Sequence, residues 1–381
     1  ENLKIPQLLA MVEESIDTAF SKQGGEPKSD DDDQAPGKIP HQWMNGFTPS
    51  ELIDALLAGG WKETSPGSRE IKYFGAGDTT SGAIRAVAKI GRAKQLTTGS
   101  EAVRDEYLGR KWPAVKRAFH HETTYGDADG DGLIESNPKA RYGLLHHCER
   151  DSNFAYDHQG MGSLEPPFIY LSNNSIHLAA LRDLQWMAQL AGENNLFKET
   201  QERFDTGLKR YFELFWMEED NYMAPLVYGP NRKQAGFISD EAIVSLYYGL
   251  VDNVRAERLV KRYMQKDIMT FSWGPRTKSV LDPYFRVNGP EAYWGGAVWP
   301  LMMAVGAEAL QKYGYFEYAG RLDDILGRVV VQEGPVENFV VTEDDQIQPY
   351  MEQGEPAAGN PHLFTAGAVL ARSAPLVSLA A

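Results

Sequence analysis

"NNSIHLAALRDLQWMAQLAGENNLFKETQERFDTGLKRYFELFW", residues 173–216, reads as two helices, 173–194 and 196–216, joined by a turn near residue 195. So short a turn makes the two helices antiparallel neighbours. A long loop, 125–172, precedes the pair, and another, 217–237, follows it. Outward from this hairpin, helical periodicity covers 2–21, 79–93 and 102–124 on one side, together with "SELIDALLAGG", which runs from its N-cap Ser50 to Gly59-Gly60. On the other side it covers 238–251, 254–266, 297–313, 315–331 and 362–378. The turn at 94–101 is again short, and long loops recur at 22–49, 60–78, 267–296 and 332–361. Loops of this length in a compact domain usually carry function. Few stretches read as extended; "NYMAPLVYG" and "NFVVT" are the candidates, and the absence of βαβ alternation argues against a parallel sheet. The pattern predicts an all-α fold, an (α/α)6 toroid in which the long loops leave one end of the ring and form a cleft at one mouth. It predicts one domain over residues 1–381, with the polar segment 22–36 as a mobile loop within it.

The 381 residues are 42% hydrophobic, ample for a large core. A formal net charge of −15 argues against non-specific nucleic-acid binding and against anionic membranes. No run of eighteen apolar residues exists to span a bilayer. The single cysteine, Cys148, excludes an internal disulfide and leaves the compartment open, as composition leaves the oligomeric state. The first residues show neither an initiator Met nor a signal pattern, so a processed or trimmed chain is expected. A glycosylation sequon at Asn173 falls inside an expected helix.

"YGDADGDGLIES", residues 125–136, sets Asp127, Asp129, Asp131 and Glu135 among glycines. D-x-D-x-D-G opens calcium loops, because alternate acids on a tight turn converge on a hard cation. The twelfth position is Pro138 rather than Glu, which excludes a calcium-sensor hand and leaves a structural Ca²⁺ closed by Glu135, or a hydrated acidic turn.

Other acids lie singly in loops: Glu149, Asp151 and Asp157 in "HHCERDSNFAYDHQG", and Glu333 and Glu337 in "EGPVENFVVTEDD". Two carboxylates from distant loops suit glycoside hydrolysis, one protonated to donate to the leaving oxygen and one ionised to activate water. Aromatic residues make 11% of the chain, several beside Gly or Pro, where they pack a core or form stacking surfaces for sugars. No G-x-S-x-G and no P-loop is present, the His120-His121 and His146-His147 pairs do not give H-E-x-x-H, and a lone Cys148 is a weak nucleophile candidate.

Several stretches resemble one family. "YFGAGDTTSGAIRAVAKIGR", "KWPAVKRAFHHETTYGDADGDGLIES", "AYWGGAVWPLMMAVGAEALQKYGY" and "VENFVVTEDDQIQPYMEQGEPAAGNPHLFTAGAVL" are similar to segments of the (α/α)6 catalytic domain of glycoside hydrolase family 63 and the glucosidase domains of glycogen-debranching enzymes, over residues 37–380. The resemblance implies an inverting α-glycosidase, α-glucosidase-like, acting on a small sugar or oligosaccharide without an organic cofactor. It implies Asp151 as general acid, with Asp157 as the alternative, and Glu337 of Glu337-Asn338-Phe339 as general base. It implies Ca²⁺ on Asp127, Asp129, Asp131 and Glu135, and Asp78 on the hydroxyls of the innermost sugar. Trp294 and Trp299 would line the cleft, Tyr73 and Trp273 would stack on sugar rings, and Arg276 would fix a hydroxyl or an acidic aglycone or pair with an acid. The family's usual β-sandwich domain has no room in the chain as given. A sugar-binding toroid without catalysis and a glycoside phosphorylase on the same fold are the competing expectations.

Overall fold

The structure, a computed structural model, describes residues 5–27, 33–44, 56–57, 61–63, 70–140, 143–150, 152, 155–156, 164–288, 292–352 and 355–373. It is mostly helical, and the helices fall close to their predicted bounds. The sequence predicts one domain over residues 1–381; chain contacts gather into two compact units, Glu1–Asn153 with Pro166–Glu213, and Phe154–Glu165 with Leu214–Ala381.

In the first unit, α1 (Ile5–Ser21), α3 (Glu101–His121) and α4 (Leu171–Leu190) all pack on α2 (Thr79–Thr98). The inner stripe of α2 is small and apolar, with Ala83, Val87, Ala88 and Gly91 buried, so its neighbours approach closely. A Cβ at Gly91 would sit 2.8 Å from Leu108 of α3. The α2–α3 turn is two residues long because Gly99 adopts φ 67°, closing α2, while Ser100 accepts the Val103 N–H and opens α3. Asp183 of α4 receives Arg85 and Arg92 of α2 at 3.1 and 2.6 Å. α5 (Asn194–Phe215) follows α4 after a short turn at Gly192, φ 70°. A π-helical turn, Glu122–Gly126, leads from α3 into the acidic loop.

Of the segment expected to be mobile, residues 28–32 lie outside the described residues. Its flanks are tied down: Gly24 and Lys38 pair through their backbones at 2.7 Å, and the Gln23 amide donates to Gly37 and Ala114 carbonyls. The helix expected from Ser50 also lies outside the described residues except for Leu56 and Leu57.

In the second unit, α9 (Pro300–Lys312) is central and packs against α6 (Ile243–Tyr247), α10 (Phe316–Glu333) and α11 (Leu363–Ser373). α7 (Asn253–Tyr263) is capped by Asp252, and the short α8 (Ala292–Gly295) precedes Trp299. The helix predicted over 238–251 is shorter: a 3₁₀ turn, Asp240–Ala242, leads into α6, and Gly249 at φ 66° follows its end.

The long loops contain short strands: the extended candidates "NYMAPLVYG" and "NFVVT" hold strands at 222–223, 226–228 and 339–341, while their partners, two or three residues long, carry no period to show them. Hairpins form at 216–217/222–223, 226–228/233–235, 269–270/274–275 and 339–341/347–349. Single bridges then join Arg276 to Val298 and Val298 to Phe339, a three-chain ladder that gathers loops 267–296 and 332–361 beside the start of α9. Among the described residues no helix is long and apolar enough to cross a membrane.

Candidate active site

Glu337 stands at the edge of that ladder, two residues before Phe339, which exchanges both backbone hydrogen bonds with Val298 at 2.8 and 3.1 Å. Its carboxylate is half-buried and doubly held. Oε1 accepts the Tyr293 hydroxyl, and Oε2 accepts the Gly359 N–H at 3.0 Å. The Glu337 N–H in turn donates to the Gly359 carbonyl at 2.9 Å. Two donors from separate segments fix the orientation of the carboxylate.

Trp294 and Trp299 pack edge-to-face at 4.9 Å and are 3% and 6% exposed. They form the wall behind Tyr293, which packs on Trp294 at 4.7 Å, so they do not offer open ring faces. Trp273, in the turn of the 269–275 hairpin, donates its indole N–H to the Asp345 carbonyl at 2.8 Å, and the Arg328 guanidinium lies 5.7 Å from its ring centre.

Arg276 lines a cavity of about 620 Å³ together with Phe285, Arg286, Asn288, Thr342 and Asp345. Its Nε is buried with no hydrogen-bond partner among the described residues. Burial weakens the hold of its guanidinium on its proton, against the attraction of Asp345 and Asp267. Arg286 donates to the Pro283 and Phe285 carbonyls. The cavity thus sets two cationic groups, Arg276 and Arg286, beside the acids Glu343 and Asp345.

The first unit holds the acidic loop. Asp127, Asp129 and Glu135 bring one oxygen each within 4.8 Å of one another. Asp131, expected beside them, instead receives Arg210 of α5 at 3.1 Å and caps the Leu133 N–H at 3.0 Å. Asp127 is 5% exposed; its Oδ2 receives Arg203 and the Gly132 N–H, both at 3.2 Å, while its Oδ1 has no partner among the described residues. Burial raises its pKa above the usual aspartate value. Gly132, at φ 86°, lies against the backbone of Gly207 in α5, 2.8 Å from where its Cβ would be, and so docks the loop on that helix. The donor set, three carboxylates and nothing softer, suits a hard cation such as Ca²⁺. Beside the loop lies a cavity of about 310 Å³ lined by Lys38, His121, Tyr125, Glu135, His147 and Asn173.

Asp78 immediately precedes α2, half-buried; its carbonyl accepts the Gly82 N–H at 2.8 Å, and its side chain does not cap the helix. Tyr73 is 5% exposed; its ring stacks on Trp61 at 5.6 Å and its hydroxyl accepts the Leu144 N–H, so it belongs to a small core cluster. Asp151 and Asp157 lie outside the described residues. The sequon asparagine Asn173 is 2% exposed, donates to the His147 carbonyl and is closed to glycosylation. Cys148 is likewise buried.

Sequence reasoning missed Tyr293 and Gly359, the two groups that hold Glu337. A signal for Tyr293 existed, because it opens the "YWGGAVWP" motif, from which only the tryptophans were singled out. It also missed Asp240 and Glu241, both fully buried at the 3₁₀ turn, where Glu241 accepts the Tyr156 hydroxyl at 3.1 Å. Nothing in "ISDEA" distinguishes those acids from an ordinary helix start.

A family model described as the mannosylglycerate hydrolase MGH1-like glycoside hydrolase domain matches residues 86–347. The chain belongs to this family. It is a glycosidase with a family 63-like catalytic domain. A search of curated protein sequences found no match. Among solved structures, the chain is similar to the family 63 mannosylglycerate hydrolase of Thermus thermophilus in complex with glucose, at 17% identity and TM-score 0.62, covering 96% of this chain and 89% of that one. The same enzyme in complex with Tris and D-glycerate matches at 15% identity and TM-score 0.67, covering 95% and 88%. At these identities the likeness establishes the fold.

Proposed function

We propose that this glycosidase cleaves a small α-glycoside with inversion, on an (α/α)6 toroid, with Glu337 as general base and Asp151 as general acid. The observation that carries the reading is the Glu337 carboxylate, held by Tyr293 and the Gly359 N–H at the edge of the Arg276–Val298–Phe339 ladder. Water attacks the anomeric carbon while Glu337 takes its proton. The bond to the aglycone oxygen breaks as Asp151 protonates that oxygen. Inversion needs room for the water, which calls for carboxyl groups roughly 6.5–9.5 Å apart. Asp157 takes the acid's role if Asp151 does not.

The substrate we favour is a hexose joined to a short carboxylated aglycone. Arg276 and Arg286 line a cavity beside the ladder, and the similar Thermus enzyme was solved with glucose and with D-glycerate. Glucose and mannose are equal candidates for the sugar. Asp78 would bind its hydroxyls. Ca²⁺ on Asp127, Asp129 and Glu135 would fix the loop from α3 as a structural ion, outside the chemistry.

Hydrolysis of α-glucosylglycerate and α-mannosylglycerate, followed by proton NMR from the first minute, tests the reading. The β-anomer of the free sugar appears first if the enzyme inverts; first appearance of the α-anomer overturns inversion, and no hydrolysis of either compound overturns the substrate class. The two arginines also favour a second reading, a phosphorylase using the Arg276 cavity for phosphate. It requires sugar phosphate as product, and turnover in phosphate-free buffer excludes it.

A further inference from the structure

We propose that Tyr293 is the positioning residue of the general base, fixing the Glu337 carboxylate in one rotamer; this rests on the glycosidase reading above. The carboxylate is clamped from two sides. The Tyr293 hydroxyl donates to Oε1 and the Gly359 N–H donates to Oε2 at 3.0 Å. A carboxylate offers about four lone-pair sites, so each oxygen keeps capacity for the attacking water.

The clamp is itself supported. The Tyr293 ring meets Trp294 edge-on at 4.7 Å and Tyr350 at 5.2 Å, and Tyr350 is 3% exposed. The Tyr350 carbonyl accepts the Ala357 N–H at 3.0 Å, which ties that support to the segment ending in Gly359. The approach at residue 359 is tight: a Cβ there would lie 3.3 Å from Glu337 Oε2, and the carboxylate would have to give by a few tenths of an ångström. Tyr293 therefore acts through Glu337. A phenol stays protonated at working pH and cannot compete with Glu337 for the water's proton. It can only donate, and so orients the carboxylate without taking part in the proton transfer.

The test is Tyr293→Phe, read in two ways. In steady-state kinetics kcat should fall at least about tenfold with KM little changed. Independently of turnover, protein labelled with ¹³C at glutamate carboxyls should show the Glu337 resonance, assigned with Glu337→Gln, shifted and broadened in Tyr293→Phe as the carboxylate loses one of its two donors. An unchanged Glu337 resonance overturns the proposal, as does a defect confined to KM. If the resonance changes but wild-type protein hydrolyses nothing, the clamp stands and the glycosidase substrate reading fails. Glu337→Ala, assayed with azide, separates the base's role from the clamp's. Formation of a β-glycosyl azide marks Glu337 as the base whatever Tyr293 does.

Discussion

In the proposed mechanism Glu337 is the base, and the two donors that hold its carboxylate come from positions 44 residues before it and 22 after it. Glu337→Gln keeps the shape and removes the proton acceptor. We expect kcat to fall by about 10²–10⁴-fold with KM nearly constant, the usual contribution of a positioned acid or base. Steady-state kinetics on the best glycerate glycoside checks it, and a variant within about threefold of wild type would remove Glu337 from the mechanism. Arg276 is proposed to act on binding. Loss of a charge-assisted contact is worth about 1.5–3 kcal/mol. Arg276→Met should therefore raise KM for a carboxylated aglycone by about tenfold or more and leave a neutral aryl glycoside unchanged. An equal loss on both substrates would mean that Arg276 braces the ladder and binds no anion. At this scale Glu337 was proposed from the sequence through the resemblance of its Glu-Asn-Phe context. Gly359 was not, because it acts through its backbone, and neither was the engagement of the Tyr73 ring with Trp61.

The acidic loop is the element whose behaviour depends most on conditions. Asp127 is held above its ordinary pKa by burial. Without a cation its charge is therefore a cost to the fold, absent at low pH and incurred as pH rises through the raised value. A bound cation reverses this. Ca²⁺ at a hundredfold excess over its Kd would add about 2.7 kcal/mol, visible as a rise of a few degrees in Tm, large at pH 7 and small at pH 4. Asp127→Asn should abolish the Ca²⁺ response without lowering the cation-free Tm. A Tm indifferent to Ca²⁺ and EGTA would leave the loop as an acidic turn balanced by Arg203 and Arg210 alone. The D-x-D-x-D-G pattern was legible in the sequence; the diversion of Asp131 to Arg210 was not, since it depends on α5 lying alongside.

For the molecule as a whole, buried histidines set the acid limit. His121, His146 and His147 are all pushed down to about 3, chiefly by burial. In the unfolded chain they take a proton near pH 6.5. The unfolded state thus binds more protons between these values, and stability falls as pH falls through that window. By pH 5 each histidine costs about 2 kcal/mol, together about 6 kcal/mol, a large share of ordinary domain stability. We expect cooperative unfolding of the first unit between about pH 5 and 4, followed by circular dichroism. A flat urea midpoint from pH 7 to 4.5 would contradict it.

The sequence by itself determined the helices, their short turns and the family, because apolar periodicity, capping residues and the "YWGGAVWP" and Glu-Asn-Phe motifs are local patterns. Tertiary structure decided the rest. Only packing could reveal that Trp294 and Trp299 stand behind Tyr293, that single bridges through Val298 join loops 267–296 and 332–361, and that Tyr293 and Gly359 converge on one carboxylate. Burial and hydrogen bonding at a site are properties of chain segments brought together from far apart, and no window of sequence contains them.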